Sequence, residues 1–151
     1  YPLHIIIRYE IEKELFNGTL TVDELPAVWK QKYQEYLGIT PPDDLTGILQ
    51  DVHWSGGMFG YFPSYALGYM YGAQLYHKMQ ETIDVAAVLA TDDYSPIRKW
   101  LTEKVHRFGA SKTPSEIIKD ATGETLNPQY LLDYLQELYF EVYQVQVIEH
   151  V

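Results

Sequence analysis

The stretch from Gly47 to Tyr65 gathers side chains that can take part in catalysis. His53 can change its charge near neutral pH, and Tyr61 and Tyr65 bring two phenol hydroxyls four residues apart. Pro63 suits the first turn of a helix, which would place Tyr65 where hydroxyls and free backbone N–H groups face developing negative charge. The spacing therefore predicts an oxyanion-binding site.

Glycines give the same stretch backbone freedom. Gly56, Gly57 and Gly60 allow left-handed or crowded main-chain conformations and let a ligand approach the backbone closely. A second interpretation is a glycine-rich turn whose histidine and tyrosine side chains only satisfy backbone groups. The residue types by themselves leave both interpretations open.

Composition limits the classes of function. The 151 residues make up about one domain, 46% of them are hydrophobic, and the net charge of −10 would repel a phosphate backbone. Nucleic acid is therefore not an expected partner. The absence of cysteine excludes disulfides, thiolate ligands and a cysteine nucleophile. The longest apolar run near the start is Ile5 to Ile7, which predicts neither a signal peptide nor a membrane span, and we expect a cytoplasmic protein.

The elements that position these side chains are predicted to be helices. Apolar residues recur at helical spacing, and prolines, capping boxes and glycines mark the ends. No segment shows the alternation of a strand, and no linker splits the chain, so we predict one all-α domain over residues 1–151. The predicted helices run from about Pro2 to Phe16, from the Thr21 to Glu24 capping box to Gly38, from Pro63 to about Gln80, from Ile83 to Leu89, from Ser95 to Gly109, from the Thr113 to Glu116 capping box to Gly123, and from Asn127 onwards, with a tail over Val145 to Val151 that we expect to fray.

The first predicted helix carries a polar face. His4, Arg8 and Glu12 are spaced four residues apart and therefore lie on one side of it. Arg8 between carboxylates can form a structural ion pair. Alternatively, it can line a cleft and bind a carboxylate.

A family resemblance rests on several motifs. Gly47-x-x-Gln50-Asp51-x-His53-Trp54 resembles the signature of the carboxypeptidase Taq family of thermostable zinc metallocarboxypeptidases. The similarity continues through Gly60-Tyr61-Phe62-Pro63-Ser64-Tyr65, the opening segment from Tyr1 to Glu10, and the segment from Ala121 to Pro128. The resemblance implies the C-terminal helical part of a zincin-like metallopeptidase with a channel.

The family's metal site is missing from this sequence. The resemblance implies a zinc or cobalt ion held by a His-Glu-x-x-His helix and a later Glu, and no such motif is present here. We therefore expect a fragment that corresponds to about the C-terminal third of the enzyme, binds no metal and is inactive alone. The intact enzyme is expected to be a homodimer that removes C-terminal amino acids from peptides.

The resemblance also implies roles for individual residues. His53, Gly56, Gly57 and Tyr65 match a His-x-x-Gly-Gly…Tyr spacing in related helical peptidases, where the His and Tyr hydrogen-bond the tetrahedral intermediate and the substrate backbone. Tyr61 competes with Tyr65 for this role.

Three further residues receive supporting roles. Gln50 is expected to bond the substrate backbone, and Asp51 to orient His53 or a helix end. Arg8 is a candidate for the substrate's C-terminal carboxylate, although an arginine upstream of this chain is the family's better one.

Two classes of protein remain open for the chain by itself. A fragment of an enzyme should expose an apolar face where the rest of the enzyme packs. A non-catalytic helical module for protein interaction or dimerisation should instead have a polar surface.

Overall fold

The computed structural model describes residues 1–144, and over this range it contains α-helices and short 3-10 turns but no strand. The all-α prediction is confirmed. Among these residues, no helix is both long and apolar enough to cross a bilayer. The helices are α1 (Pro2–Phe16), α2 (Leu25–Leu37), α3 (Pro63–Gln80), α4 (Val85–Leu89), α5 (Ser95–Lys104), α6 (Pro114–Thr122) and α7 (Gln129–Tyr143), with 3-10 turns at Val22–Glu24, Ile48–Gln50 and His106–Phe108.

The chain forms two compact units, the first from Tyr1 to Leu67 and the second beginning at Gly68. The first unit packs α1 against α2 around a buried apolar core. The prediction of a single domain over the whole chain stays a prediction. The core of the first unit consists of Ile7, Ile11, Leu20 and Trp29.

The first two helices end as the sequence predicts. Asn17 closes α1 with its N–H on the Lys13 carbonyl oxygen, and Gly18 follows at φ +74°. The backbone N–H of Thr21 donates to the Glu24 carboxylate at 2.9 Å, which opens the 3-10 turn before α2. Gly38 ends α2 in the left-handed conformation. These local signals place α1 and α2 next to each other.

The second unit departs from prediction in two places. The fourth helix was expected from Ile83, but α4 begins at Val85 because Asp84 caps it by accepting the Ala87 N–H at 3.0 Å. The fifth helix was expected to reach Gly109, but α5 ends at Lys104. Val105 leaves the helical region at φ −129°, and a 3-10 turn completes the segment.

A buried glutamine joins three segments of the second unit. Gln74 of α3 is 1% exposed, and its Nε2 donates to the Thr122 Oγ1 at 3.0 Å and to the Thr125 carbonyl at 3.1 Å. Its Oε1 accepts the Asn127 N–H at 2.9 Å. The connection between α6 and α7 is thus tied to α3. The fraying predicted for Val145 to Val151 lies outside the described residues.

Candidate functional site

A loop without regular structure connects the Ile48–Gln50 turn to α3. The loop closes on itself, because the N–H groups of Gly56 and Met58 both donate to the His53 carbonyl, at 3.1 and 2.8 Å. Gly57 and Gly60 have φ of +73° and +71°, which L-residues rarely adopt. At these two glycines the backbone therefore adopts the left-handed conformation that the sequence allows.

The loop brings three predicted hydrogen-bonding side chains together. The Nε2 atom of His53 lies 3.3 Å from the Tyr65 hydroxyl. The His53 and Tyr61 rings are stacked at 5.8 Å between centroids, and the rings of Tyr61 and Tyr65 meet edge to face at 5.5 Å. Tyr65 lies in the first turn of α3, as predicted. One imidazole and two phenols thus form a compact cluster.

The surroundings favour donor forms of these groups. Burial, with Tyr61 beside it, raises the pKa of the Tyr65 phenol above its ordinary value, so the hydroxyl keeps its proton at neutral pH. The buried Nδ1 atom of His53 has no hydrogen-bond partner among the described residues. A proton on Nδ1 would be left unsatisfied there, which favours the tautomer that carries its proton on Nε2.

Beneath the loop, α1 presents a buried cation. The Arg8 guanidinium pairs with the Asp51 carboxylate, and the two residues are 4% and 9% exposed. Its Cζ lies 3.4 Å from the Phe62 ring centroid and 5.2 Å from that of Trp54. Burial lowers the pKa of Arg8 to about 10, still far above neutrality, so the group remains charged. Arg8 therefore forms a structural ion pair, the first of the two alternatives that the sequence left open.

Glu12 makes two contacts that the motif analysis did not predict. Its carboxylate accepts the Trp54 indole N–H at 3.2 Å and the backbone N–H of Gly60. Asp51 accepts the Trp54 backbone N–H at 2.7 Å and forms no described bond to His53. In the sequence, only the i, i+4 spacing of Arg8 and Glu12 on one helix face indicated that the two residues could contact the same segment.

Gln50 lies apart from the imidazole and phenol cluster. Its side-chain amide donates to the Leu45 carbonyl at 2.5 Å. With Arg8 and Asp51 it lines a cleft of about 230 Å³ that also involves Trp29 and Tyr33 of α2. Contact of Gln50 or Arg8 with substrate stays a prediction, as do the roles of Gly56 and Gly57 in binding it.

The donor set does not fit a catalytic metal. Within residues 1–144, no group of three or more His, Cys, Asp or Glu side chains is arranged to hold an ion. A protein zinc site needs three or four such ligands around one point. The described part of the chain therefore offers no place for the zinc that the family resemblance implies.

With the fold and the cluster described, comparison with known proteins defines the class. Residues 1–139 match the family model described as carboxypeptidase Taq (M32) metallopeptidase. The match covers most of the chain, and the protein belongs to this family. The resemblance carried by the Gly47 to Trp54 motif is confirmed.

The individual relatives are carboxypeptidases. The chain is 62% identical over 144 residues to carboxypeptidase 1 of Bacillus subtilis, covering 95% of this chain and 29% of that protein. It is 38% identical over 144 residues to thermostable carboxypeptidase 1 of Thermus thermophilus, covering 95% and 28%. The crystal structure of the M32 carboxypeptidase from Deinococcus radiodurans superposes with a TM-score of 0.91 at 39% identity, covering 96% and 30%. The chain thus spans less than a third of these relatives.

Proposed function

We propose that this chain forms the C-terminal part of a metal-dependent carboxypeptidase that removes C-terminal amino acids from peptides. Membership of the family and the 29% share of the Bacillus subtilis relative support this proposal. The zinc or cobalt ion is held by residues outside the chain. The intact protein is a cytoplasmic homodimer, a part of the proposal that rests on the family resemblance.

The cluster of His53, Tyr61 and Tyr65 carries the proposal. A peptide carbonyl oxygen gains negative charge as its carbon becomes tetrahedral, and preformed O–H or N–H donors stabilise that charge without reorganising. With its proton on Nε2, His53 can donate to the Tyr65 oxygen across their 3.3 Å separation. The Tyr65 hydroxyl, which also hydrogen-bonds Tyr61, can then turn its proton to the substrate oxygen. Tyr61, half exposed beside the imidazole, is the second donor.

An exposed apolar stripe supports the fragment over the independent module. Residues at positions 132, 135, 139 and 142 of α7 are spaced so that they share one face of the helix. A polar surface was the expectation for an independent module. The stripe is exposed and consists of Leu132, Leu135, Tyr139 and Val142.

A chimera tests the proposed function. The segment of Bacillus subtilis carboxypeptidase 1 that matches this chain is replaced by the chain itself, at 62% identity over 144 residues. We expect the chimera to release C-terminal residues from a peptide in the presence of zinc or cobalt, and the 151-residue chain alone to release none. A chimera that folds and carries metal but does not hydrolyse the peptide would contradict the proposal, as would hydrolysis by the chain alone.

A further inference from the structure

We propose that Arg8 and Glu12 are positioning residues, which hold the two ends of the glycine loop to one face of α1 and so keep His53 against Tyr65. Their catalytic importance rests on the proposed function. The structural effect does not, because it concerns only where the loop lies.

The loop needs an external anchor. Its described backbone bonds between Gly47 and Tyr65 are local, such as the Gly57 N–H to the Trp54 carbonyl at 3.0 Å and the Met58 N–H to the His53 carbonyl at 2.8 Å. Local bonds shape the loop but do not fix its place on the first unit. The glycines of the loop also leave its backbone more conformational freedom than other residues would.

Arg8 contacts both ends of the loop. Its guanidinium pairs with Asp51, two residues before His53, and its Cζ lies over the ring of Phe62, the residue after Tyr61, at 3.4 Å from the ring centroid. A planar guanidinium can form an ion pair along its edge and stack on an aromatic ring with its face. One side chain thus links the position of His53 to that of Tyr61.

Glu12 repeats this arrangement one helical turn further on. One carboxylate oxygen accepts the Trp54 indole N–H at 3.2 Å, and the other accepts the Gly60 backbone N–H. These contacts join segments 42 and 48 residues apart in the sequence. Because Arg8 and Glu12 are spaced i, i+4 on a helix, both contact points are fixed relative to each other.

The part of α1 that carries Arg8 and Glu12 is held in the core of the first unit. Ile7 and Ile11 alternate with the polar pair and are fully buried in the core with Leu20 and Trp29. A buried ion pair adds little net stability compared with apolar residues of similar size, and its better attested value is to specify one arrangement. We therefore expect substitutions of Arg8 or Glu12 to displace the loop even in chains that remain folded.

Proton NMR of the 151-residue chain tests this directly. The ring centroids of His53 and Tyr65 lie 5.9 Å apart, which gives a cross-relaxation signal between their ring protons. In Glu12→Gln and Arg8→Met we expect this signal to fall at least threefold while far-UV circular dichroism keeps its helical intensity. Glu12→Gln is informative because an amide oxygen can accept one of the two N–H donors, whereas its NH2 group repels the other.

Two variants serve as matched controls. Lys32→Met breaks an ion pair to Glu10 and Glu14 away from the loop, and Leu20→Ala destabilises the core without removing a polar contact to the loop. Both should lower stability and leave the signal between His53 and Tyr65 unchanged.

The outcomes separate positioning from general stability. An unchanged signal in Glu12→Gln and Arg8→Met would overturn the proposal, as would an equal loss in the controls. If Arg8→Met does not fold, Trp54→Phe decides the matter, because it removes the indole N–H that bonds Glu12 and keeps an aromatic ring at this position. In the chimera, Glu12→Gln should lower kcat about 10- to 100-fold, as expected for displaced catalytic groups. A lost signal with unchanged kcat would count against the proposed function and leave the positioning intact.

Discussion

The Nε2 atom of His53 lies 3.3 Å from the hydroxyl of Tyr65, twelve residues further along the chain. Neither residue reaches this position through regular structure alone, because a glycine-containing loop separates them and α3 begins only at Pro63. The contact places an imidazole behind a phenol that keeps its proton. In the proposed function, these two groups supply donors to the developing oxyanion.

Two glycines test whether backbone conformation governs the loop. A Cβ atom at Gly60 or at Gly68 would meet nothing within 4 Å, but only Gly60 has a positive φ, of +71°. We expect Gly60→Ala to lower the free energy of unfolding by about 1–2 kcal/mol because of backbone strain. Gly68→Ala, inside α3, should raise it by about 0.5–1 kcal/mol. Urea unfolding of both variants measures the difference, and equal effects would contradict this account.

Gln74 should be essential to the second unit. Gln74→Leu leaves the Thr125 carbonyl and the Asn127 N–H without their described partner. We expect the free energy of unfolding to fall by about 2–4 kcal/mol, since unsatisfied buried polar groups keep their full desolvation cost. Gln80→Leu, on an exposed position of the same helix, is the control. A loss below about 0.5 kcal/mol for Gln74→Leu would show that water replaces the amide.

His4 should make stability depend on pH. Burial, the Arg8 charge and the N-terminus lower the pKa of His4 from 6.5 to about 4. Between these two pKa values the unfolded chain binds more protons than the folded chain, so the free energy of unfolding falls as the pH drops from about 6.5 to about 4. Below about pH 4 His4 is protonated in both states, and a further drop in pH changes nothing through this residue. The loss should be about 1–2 kcal/mol, since partial exposure screens the charge.

The matched comparison for this pH effect uses two histidines. Urea unfolding of wild type and of His4→Gln at pH 7 and pH 4 should show a smaller loss of stability in the variant. His106→Gln, at an exposed position, should behave as wild type does. If His4→Gln keeps the full pH dependence, the shift belongs to another group.

Local features of the fold were predictable because they depend on neighbours in sequence. The bounds of α1, the Thr113 to Glu116 capping box and the position of Tyr65 in the first turn of α3 all follow from spacing of a few residues. The break at Val105 was not visible, since nothing in the residue type stops a helix there.

The contacts that support the site could not be predicted from local sequence patterns. Glu12 meets Trp54 and Gly60 across more than forty residues, and no periodicity links them. The motif indicated that His53 and Asp51 matter, and the polar face of the first helix indicated Arg8, but only the tertiary structure shows that Asp51 contacts Arg8 and Trp54. Long-range polar contacts are set by the packing of α1 under the loop, which the sequence pattern does not encode.

Tyr65 is the residue on which the account depends most directly. The decisive measurement is kcat for release of a C-terminal amino acid by the chimera carrying Tyr65→Phe, compared with Tyr94→Phe, which removes an exposed phenol of the second unit. Loss of one oxyanion donor should lower kcat about 100-fold or more in Tyr65→Phe, whereas Tyr94→Phe should match the parent chimera. A Tyr65→Phe chimera with undiminished kcat would contradict the role assigned to the contact between His53 and Tyr65.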